Sequence, residues 1–402
     1  MFDELRERGY IYQSTDLERI KDLIDNDKIT FYLGIDPTAD SLHIGHFFAL
    51  TLVRRLQKMG HKPIILVGGA TALIGDPSGR SNLRKTLTKE EVEYNKNEVK
   101  KIVKRFVDID GSNPALIVDN YTWMNDSYID FMRKVGVHFN VNTMLSTDAY
   151  RKRLEEGGLT FLEMGYMLMQ SYDFVHLRDN YDCILQVGGS DQWANMIAGV
   201  DLARKMDYQE GKPHKELVAL TCPLLVKADG EKMGKTSTGT LWISRDKTTV
   251  YDFYQMFINS YDEDVERLLC FFSDYSVDDI KKMINEDIIN AKKVMAFEVT
   301  KLVHGEEEAL KVEQISKDIF SGKFTDNMPF ITLNEKNLNI LNLLVKTNLA
   351  PSKSEARRLV IQGGITIDNE KILDPNKIIT GNEIVIQKGK KTYLKVIINE
   401  EV

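Results

Sequence analysis

"KITFYLGIDPTADSLHIGHFFAL", residues 28–50, decides the fold. Its first nine residues are rich in β-branched and aromatic side chains, "PTADS" supplies a turn, and apolar residues from Leu42 to Met59 recur with helical spacing. The stretch predicts a strand, a loop and a helix. The same unit returns along the chain. "KPIILVGG" (62–69) reads as a continuous apolar strand, "EEVEYNKNEVKKIVKRFV" (90–107) as a charged amphipathic helix, and "ALIVDN" (115–120) as another strand. "DCILQVGG" (182–189) and "DQWANMIAGVDLARKM" (191–206) add one more strand and helix. Buried strands alternating with helices predict an α/β fold with a Rossmann-like, doubly wound parallel sheet. Such sheets bind ligands beyond the carboxyl ends of their strands, where the polar motifs of this chain fall.

The whole chain sets wide bounds on function. Its 402 residues are enough for two or three domains. With 43% hydrophobic and 28% charged residues, it has the composition of an ordinary globular protein. "MFDELRERGYIYQ" has no apolar core for a signal peptide, and "IILVGGATALIG" is too short and glycine-rich to span a bilayer, so a cytoplasmic protein without membrane contact is expected. Cys183, Cys222 and Cys270 lie far apart, which suggests neither a disulfide framework nor a cysteine metal site. Net charge is −7 but uneven: residues 331–402 carry 11 Lys and Arg against 8 Asp and Glu, and residues 1–330 carry 42 against 52. An acidic body therefore ends in a mildly basic tail.

"TFLEMGYMLMQSYDFVHL" (160–177) predicts a buried helix with a few polar residues set into its apolar face. After about residue 245 the pattern is helical, through "DIINAKKVMAFEVTKLVHG" and "EEEALKVEQISKDIF". "SGKFTDNMPFIT" (321–332) reads as a linker to a small α+β tail with helical "NLNILNLLVK" and "SKSEARRLVIQ" and the short strands "GITID", "EIVIQKG" and "YLKVII".

His43 and His46 flank Gly45 where the loop gives way to the helix. Zinc pairs on helices favour a spacing of four with an intervening glutamate, so no metal site is expected here. An HxxH pair taken alone is more often a capping or core pair. A strand-to-helix turn, however, offers free backbone N–H groups and the positive end of a dipole, and Gly45 lets a flat ligand approach closely. Imidazole N–H donors there suit phosphate oxygens whose charge grows as an α-phosphorus reacts. "KADGEKMGKTSTG" (227–239) adds Lys232 and Lys235 around Gly234. By itself it is a solvated loop; with the histidines it becomes a glycine-hinged cover for a triphosphate.

"HIGH" (43–46) and "KMGKT" (232–236) resemble the two signature sequences of class I aminoacyl-tRNA synthetases, the second with glycine where serine is usual. "GDPSGR" (75–80), "YMLMQSYDF" (166–174) and "GGSDQW" (188–193) are similar to the bacterial tyrosyl-tRNA synthetases within that class, and the resemblance covers nearly the whole chain. It implies a catalytic domain over 1–220 with a dimer-interface insertion, a signature loop and helical domain over 221–320, a linker at 321–332 and a small RNA-binding domain over 333–402. It further implies ATP with Mg2+, L-tyrosine and tRNA(Tyr) as ligands, and a homodimer meeting around "VHFNVNTML" (137–145) and Phe161.

A phenol both donates and accepts a hydrogen bond, so its pocket needs an acceptor, Asp173, and a donor, Tyr32. Tyr166, Gln170 and Asp173 stand at i, i+4 and i+7, on one helix face. The resemblance implies that Asp76, Tyr166 and Gln170 hold the substrate ammonium, that Asp191 accepts from the ATP ribose and that Gln192 meets the aminoacyl carbonyl. Gly34 and Asp36 would lie beside the adenylate, with Thr38 and His43 at the outer phosphates. Arg80 and Arg84, like Lys232 and Lys235, would contact pyrophosphate, though simple surface charge fits these arginines equally. Leu33 stands where many family members have cysteine near the ribose, and Ala49 where some relatives have threonine. In the tail, "PSKSEARRLVIQGGITIDN" (351–369) resembles a small RNA-binding module, with Lys353, Arg357 and Arg358 placed to meet an RNA backbone. The rival readings are a tryptophan enzyme of the same class, a small-metabolite nucleotidyltransferase and a non-catalytic RNA-binding protein. The Tyr32 and Asp173 pairing opposes the first, the basic tail the second, and the intact histidine and lysine motifs the third.

Overall fold

A computed structural model describes residues 1–78, 86–236, 239–320, 330–335, 337–389 and 392–399. Contacts divide the chain into two compact units, 1–303 and 304–402.

The first unit is built on a six-stranded sheet of β1 (Gln13–Ser14), β2 (Thr30–Ile35), β3 (Lys62–Val67), β4 (Leu116–Asp119), β5 (Cys183–Gly189) and β6 (Val218–Cys222). The spatial order is β1-β6-β5-β2-β3-β4. Strands β2 to β6 pair in parallel, and β1 closes one edge antiparallel to β6. The chain runs outward from β2 through β3 to β4, then returns to the other side of β2 as β5. That reversal makes the carboxyl ends of β2 and β5 the topological switch point, where a crevice opens for a ligand.

Three helices around the sheet start where their sequences supply caps. His43 caps Ile44–Lys58 by accepting from the Gly45 and His46 N–H groups. Thr88 with Glu91, and Thr160 with Glu163, form capping boxes at the starts of Lys89–Val103 and Phe161–Tyr181. Glu163 also receives the buried Arg153 guanidinium at 3.2 Å.

Residues 221–303 fold against the sheet unit, and two features account for it. Phe47 and Phe48 of the first crossover helix pack on Phe272 and Phe271, with ring centroids 5.6 and 4.3 Å apart. Arg8 and Arg55 donate to the Cys270 and Ser273 carbonyls, at the carboxyl end of the helix Asp262–Phe272. Guanidinium groups there satisfy carbonyls that a helix end leaves unpaired and complement its negative pole.

The second unit holds the helix Glu306–Phe320 and a small α+β core. Ile340, Leu343 and Leu344 of the helix Ile340–Lys346 meet Ala356 and Val360 of Lys353–Ile361 over a five-stranded sheet. The end of the stretch expected as linker is itself part of that sheet. Phe330–Leu333 pairs in parallel with Thr392–Ile398. Parallel pairing across sixty residues has no local turn signal, so the sequence pattern around Pro329 reads as loop.

Candidate active site

Two loops meet at the switch point. The loop after β2 carries Asp36 and Thr38 and leads to His43, and the turn after β5, Ser190–Gln192, carries Asp191 and Gln192. Gly34 lies exposed near the end of β2. Thr38 N–H donates to the Asp36 carbonyl at 2.8 Å, turning the chain sharply away from the strand.

His43 and His46 stack with ring centroids 3.7 Å apart and planes 16° from parallel. Because His43 Nδ1 accepts from two backbone N–H groups, its neutral ring carries the proton on Nε2. The capping role and the phosphate role are therefore compatible: one nitrogen fixes the helix start while the other is a donor. The second signature is tied to the first through the backbone. His43 bridges Trp242, Ile44 N–H donates to the Leu241 carbonyl (3.2 Å), and Leu241 N–H donates to the Gly234 carbonyl (2.6 Å). Ser41 Oγ and Ser244 Oγ lie 2.6 Å apart, and Lys247 pairs with Asp40 at 2.7 Å. Gly234 sits at φ +86°, and a Cβ there would lie 2.5 Å from Ile44 Cγ2, so only glycine allows this approach. Lys232 is exposed on this loop. The side chain of Lys235, and Arg80 and Arg84 altogether, lie outside the described residues.

Away from this rim the crevice is lined by buried polar groups. Asp173 is 2% exposed. Its Oδ2 accepts from Asn120 Nδ2 at 3.0 Å and its Oδ1 from Trp123 Nε1 at 2.8 Å. Burial outweighs those donors and pushes its carboxyl up to about 8. Tyr32 is 1% exposed, and its hydroxyl has no hydrogen-bond partner among the described residues. Burial, with the Asp173 charge adding to it, holds the Tyr32 phenol well above its usual range, so it stays a donor. Gln170 Oε1 is likewise buried without a partner among those residues. Asp76 accepts from Gln192 Nε2 (2.7 Å) and from the Ser78 N–H (3.0 Å). Tyr166, expected at the ammonium, donates its hydroxyl to Asp36 Oδ2 at 2.9 Å. Asp191 is exposed, yet the protein around it and then the Asp76 charge raise its carboxyl, with Lys232 pulling it back.

Sequence reasoning missed the residues that join these groups. Thr71 Oγ1 donates to Asp36 Oδ1 (2.6 Å) and accepts from Asn120 Nδ2 (3.2 Å), while Asn120 Oδ1 takes the Ala70 N–H (2.8 Å). A chain of hydrogen bonds thus runs from Asp36 through Thr71 and Asn120 to Asp173 and Trp123. Gly68 makes room for it, since a Cβ there would fall 2.1 Å from Asp36 Oδ1 and 2.2 Å from Thr71 Oγ1. The double glycine of "KPIILVGG" was the available signal.

Lys353 and Arg357 are exposed on the second unit's helix Lys353–Ile361, and Arg358 is paired with Glu355 at 2.6 Å. Each unit presents its own candidate surface.

The parallel sheet, the capped histidine signature and the loop tied to it define a class I aminoacyl-tRNA synthetase. The profile of the family described as tRNA synthetases class I (W and Y) matches residues 25–321, and that of the tyrosine–tRNA ligase SYY-like C-terminal domain matches residues 320–396. Over 99% of both chains this protein is 48% identical to the tyrosine–tRNA ligase of Clostridium tetani, and over 98% of both it is 46% identical to that of Clostridium botulinum. Among solved structures it is similar to a C-terminally truncated mitochondrial tyrosyl-tRNA synthetase of Aspergillus nidulans, at TM-score 0.69 and 26% identity over 79% of this chain and 93% of that one. The chain belongs to the tyrosine–tRNA ligase family. Full-length likeness to tyrosine enzymes decides against the tryptophan, metabolite and scaffold alternatives.

Proposed function

We propose that this crevice activates L-tyrosine with ATP and passes it to tRNA(Tyr). The observation that carries the reading is the Tyr32 hydroxyl, buried without a partner among the described residues beside a buried carboxyl. An unpaired hydroxyl in a core costs stability unless something completes it. A substrate phenol does so by donating to Asp173 and accepting from Tyr32. Phenylalanine would leave the Tyr32 hydroxyl unpaired and offer Asp173 no donor beyond Asn120 and Trp123, and tyrosyl-tRNA synthetase is the standard instance of such discrimination. The orphaned Gln170 Oε1, with Asp76 and Tyr166, would take the substrate ammonium, and Gln192, held on Asp76, would face the aminoacyl carbonyl.

The tyrosine carboxylate oxygen attacks the ATP α-phosphorus as the bond to the bridging oxygen of pyrophosphate breaks. His43, His46, Lys232 and Lys235, with Thr38, Arg80 and Arg84, would stabilise charge on the phosphate oxygens, while Gly34, Asp36 and Asp191 seat the adenosine end. A ribose hydroxyl at the 3′ end of the tRNA then attacks the aminoacyl carbonyl and displaces AMP. Mg2+ would accompany the ATP triphosphate and offset its charge. Lys353, Arg357 and Arg358 would meet the tRNA backbone. Two copies would join across the stretch that exposes the large apolar side chains Tyr128, Ile129, Val137, Val141 and Phe161. The cytoplasm is the proposed compartment.

ATP–pyrophosphate exchange without tRNA tests the reading. Exchange driven by tyrosine, but not by phenylalanine or tryptophan, is expected. Exchange driven equally by phenylalanine would overturn the pocket assignment.

A further inference from the structure

Trp123 follows the short helical turn Asn120–Thr122, to which its own N–H is tied at 3.2 Å through the Asn120 carbonyl. That bond fixes the backbone and leaves the indole plane to be set by packing. The indole lies flat on His176, with ring centroids 4.3 Å apart and planes 11° from parallel. His176 is three residues beyond Asp173 on the same helix, so the ring that supports Trp123 and the carboxyl that Trp123 restrains share one rigid element. His176 is itself bounded. Asn180 Nδ2 lies 3.4 Å from its Nδ1 and donates to its carbonyl at 2.9 Å. Its ring meets Tyr172 at a steep angle, 61°, and Lys134 Nζ sits 4.4 Å from the centre of that tyrosine ring while donating to its hydroxyl.

We propose that His176 is a positioning residue for substrate selection: its ring is the platform that holds the Trp123 indole where its N–H restrains Asp173. The proposal rests on the tyrosine pocket set out above. A carboxyl with both oxygens held cannot swing away from an incoming phenol, whereas release of Oδ1 leaves Asn120 as its single side-chain restraint among the described residues. Burial keeps the imidazole below its usual range, so at neutral pH the stack is between uncharged rings. His176 touches neither substrate nor nucleotide in this scheme and acts through Trp123 alone.

The test compares His176→Leu, which fills the space without a flat face, with His176→Phe, which keeps one. In tyrosine-dependent ATP–pyrophosphate exchange, His176→Leu should raise the tyrosine KM about three- to tenfold, with kcat and the ATP KM within about twofold of wild type. It should also narrow the preference for tyrosine over phenylalanine. His176→Phe should restore both. Equal KM values for the three proteins, or a parallel fall in kcat and rise in the ATP KM for His176→Leu, would overturn the platform role. Should His176→Leu fail to fold, His176→Phe against His176→Ala makes the same comparison, with His176→Ala taking the place of His176→Leu. Failure of the pocket reading is a separate result: the wild-type protein would then not distinguish tyrosine from phenylalanine at all.

Discussion

The two ends of the crevice are built on opposite principles. At the inner end Tyr32 and Asp173 are almost wholly buried, and the carboxyl is held by two side chains, Asn120 and Trp123, of one turn after β4. At the rim the histidine signature is held by backbone bonds, a helix cap and glycine, and its lysine partner is exposed. Burial makes each missing hydrogen bond costly, which suits discrimination between substrates differing by one hydroxyl. A rim of half-buried histidines at a helix start, with an exposed lysine, discriminates little but can gather and release phosphate charge. On the proposed function, the inner end selects and the rim reacts.

The largest expected effect breaks the rim alone. In a His43→Asn, His46→Asn double variant, asparagine keeps the helix cap, so folding is retained. Adenylate formation, followed by rapid quench, should fall about a thousandfold or more, while the tyrosine Kd from equilibrium dialysis moves less than about threefold. Tyr32→Phe should do the reverse: the preference for tyrosine over phenylalanine in kcat/KM falls by about ten- to a hundredfold with little change in saturated rate. Because it deletes an unpartnered buried hydroxyl, its thermal midpoint should match or exceed the wild-type value. Gly234→Ala forces a methyl group against Ile44 and should slow exchange about tenfold while leaving tyrosine binding intact.

A last effect is on stability rather than rate and sharpens the inner end. The Asp173 carboxyl ionises near 3.8 when unfolded and about 8 in the native pocket, so across that interval the unfolded state sheds a proton that the native state keeps. Native stability is therefore lost as pH rises from about 4 to about 8. Asp173→Asn removes this dependence, so its thermal midpoint should gain on wild type across that interval, by the equivalent of about 2–5 kcal/mol. A difference that is flat with pH would contradict the burial of a titrating carboxyl.

Much of this was legible in the sequence because it is local. Strand, turn and helix around residues 28–50 follow from period and cap, and Tyr166, Gln170 and Asp173 share a face because helical spacing puts them there. What escaped was the set of long-range partners. Asn120 and Trp123 look like the end of a strand and a turn, and only folding brings them 50 and more residues along the chain to Asp173. The bond from Tyr166 to Asp36 spans 130 residues and has no local trace. For the same reason the parallel strand Phe330–Leu333 read as linker.

The division of labour is tested most directly by a double-mutant cycle between Tyr32→Phe and His46→Asn, read as kcat/KM for tyrosine in pyrophosphate exchange. If the inner end selects and the rim reacts, the two losses multiply, with a coupling below about 0.5 kcal/mol. A coupling well above that would show that both ends act on the same step and would contradict the account.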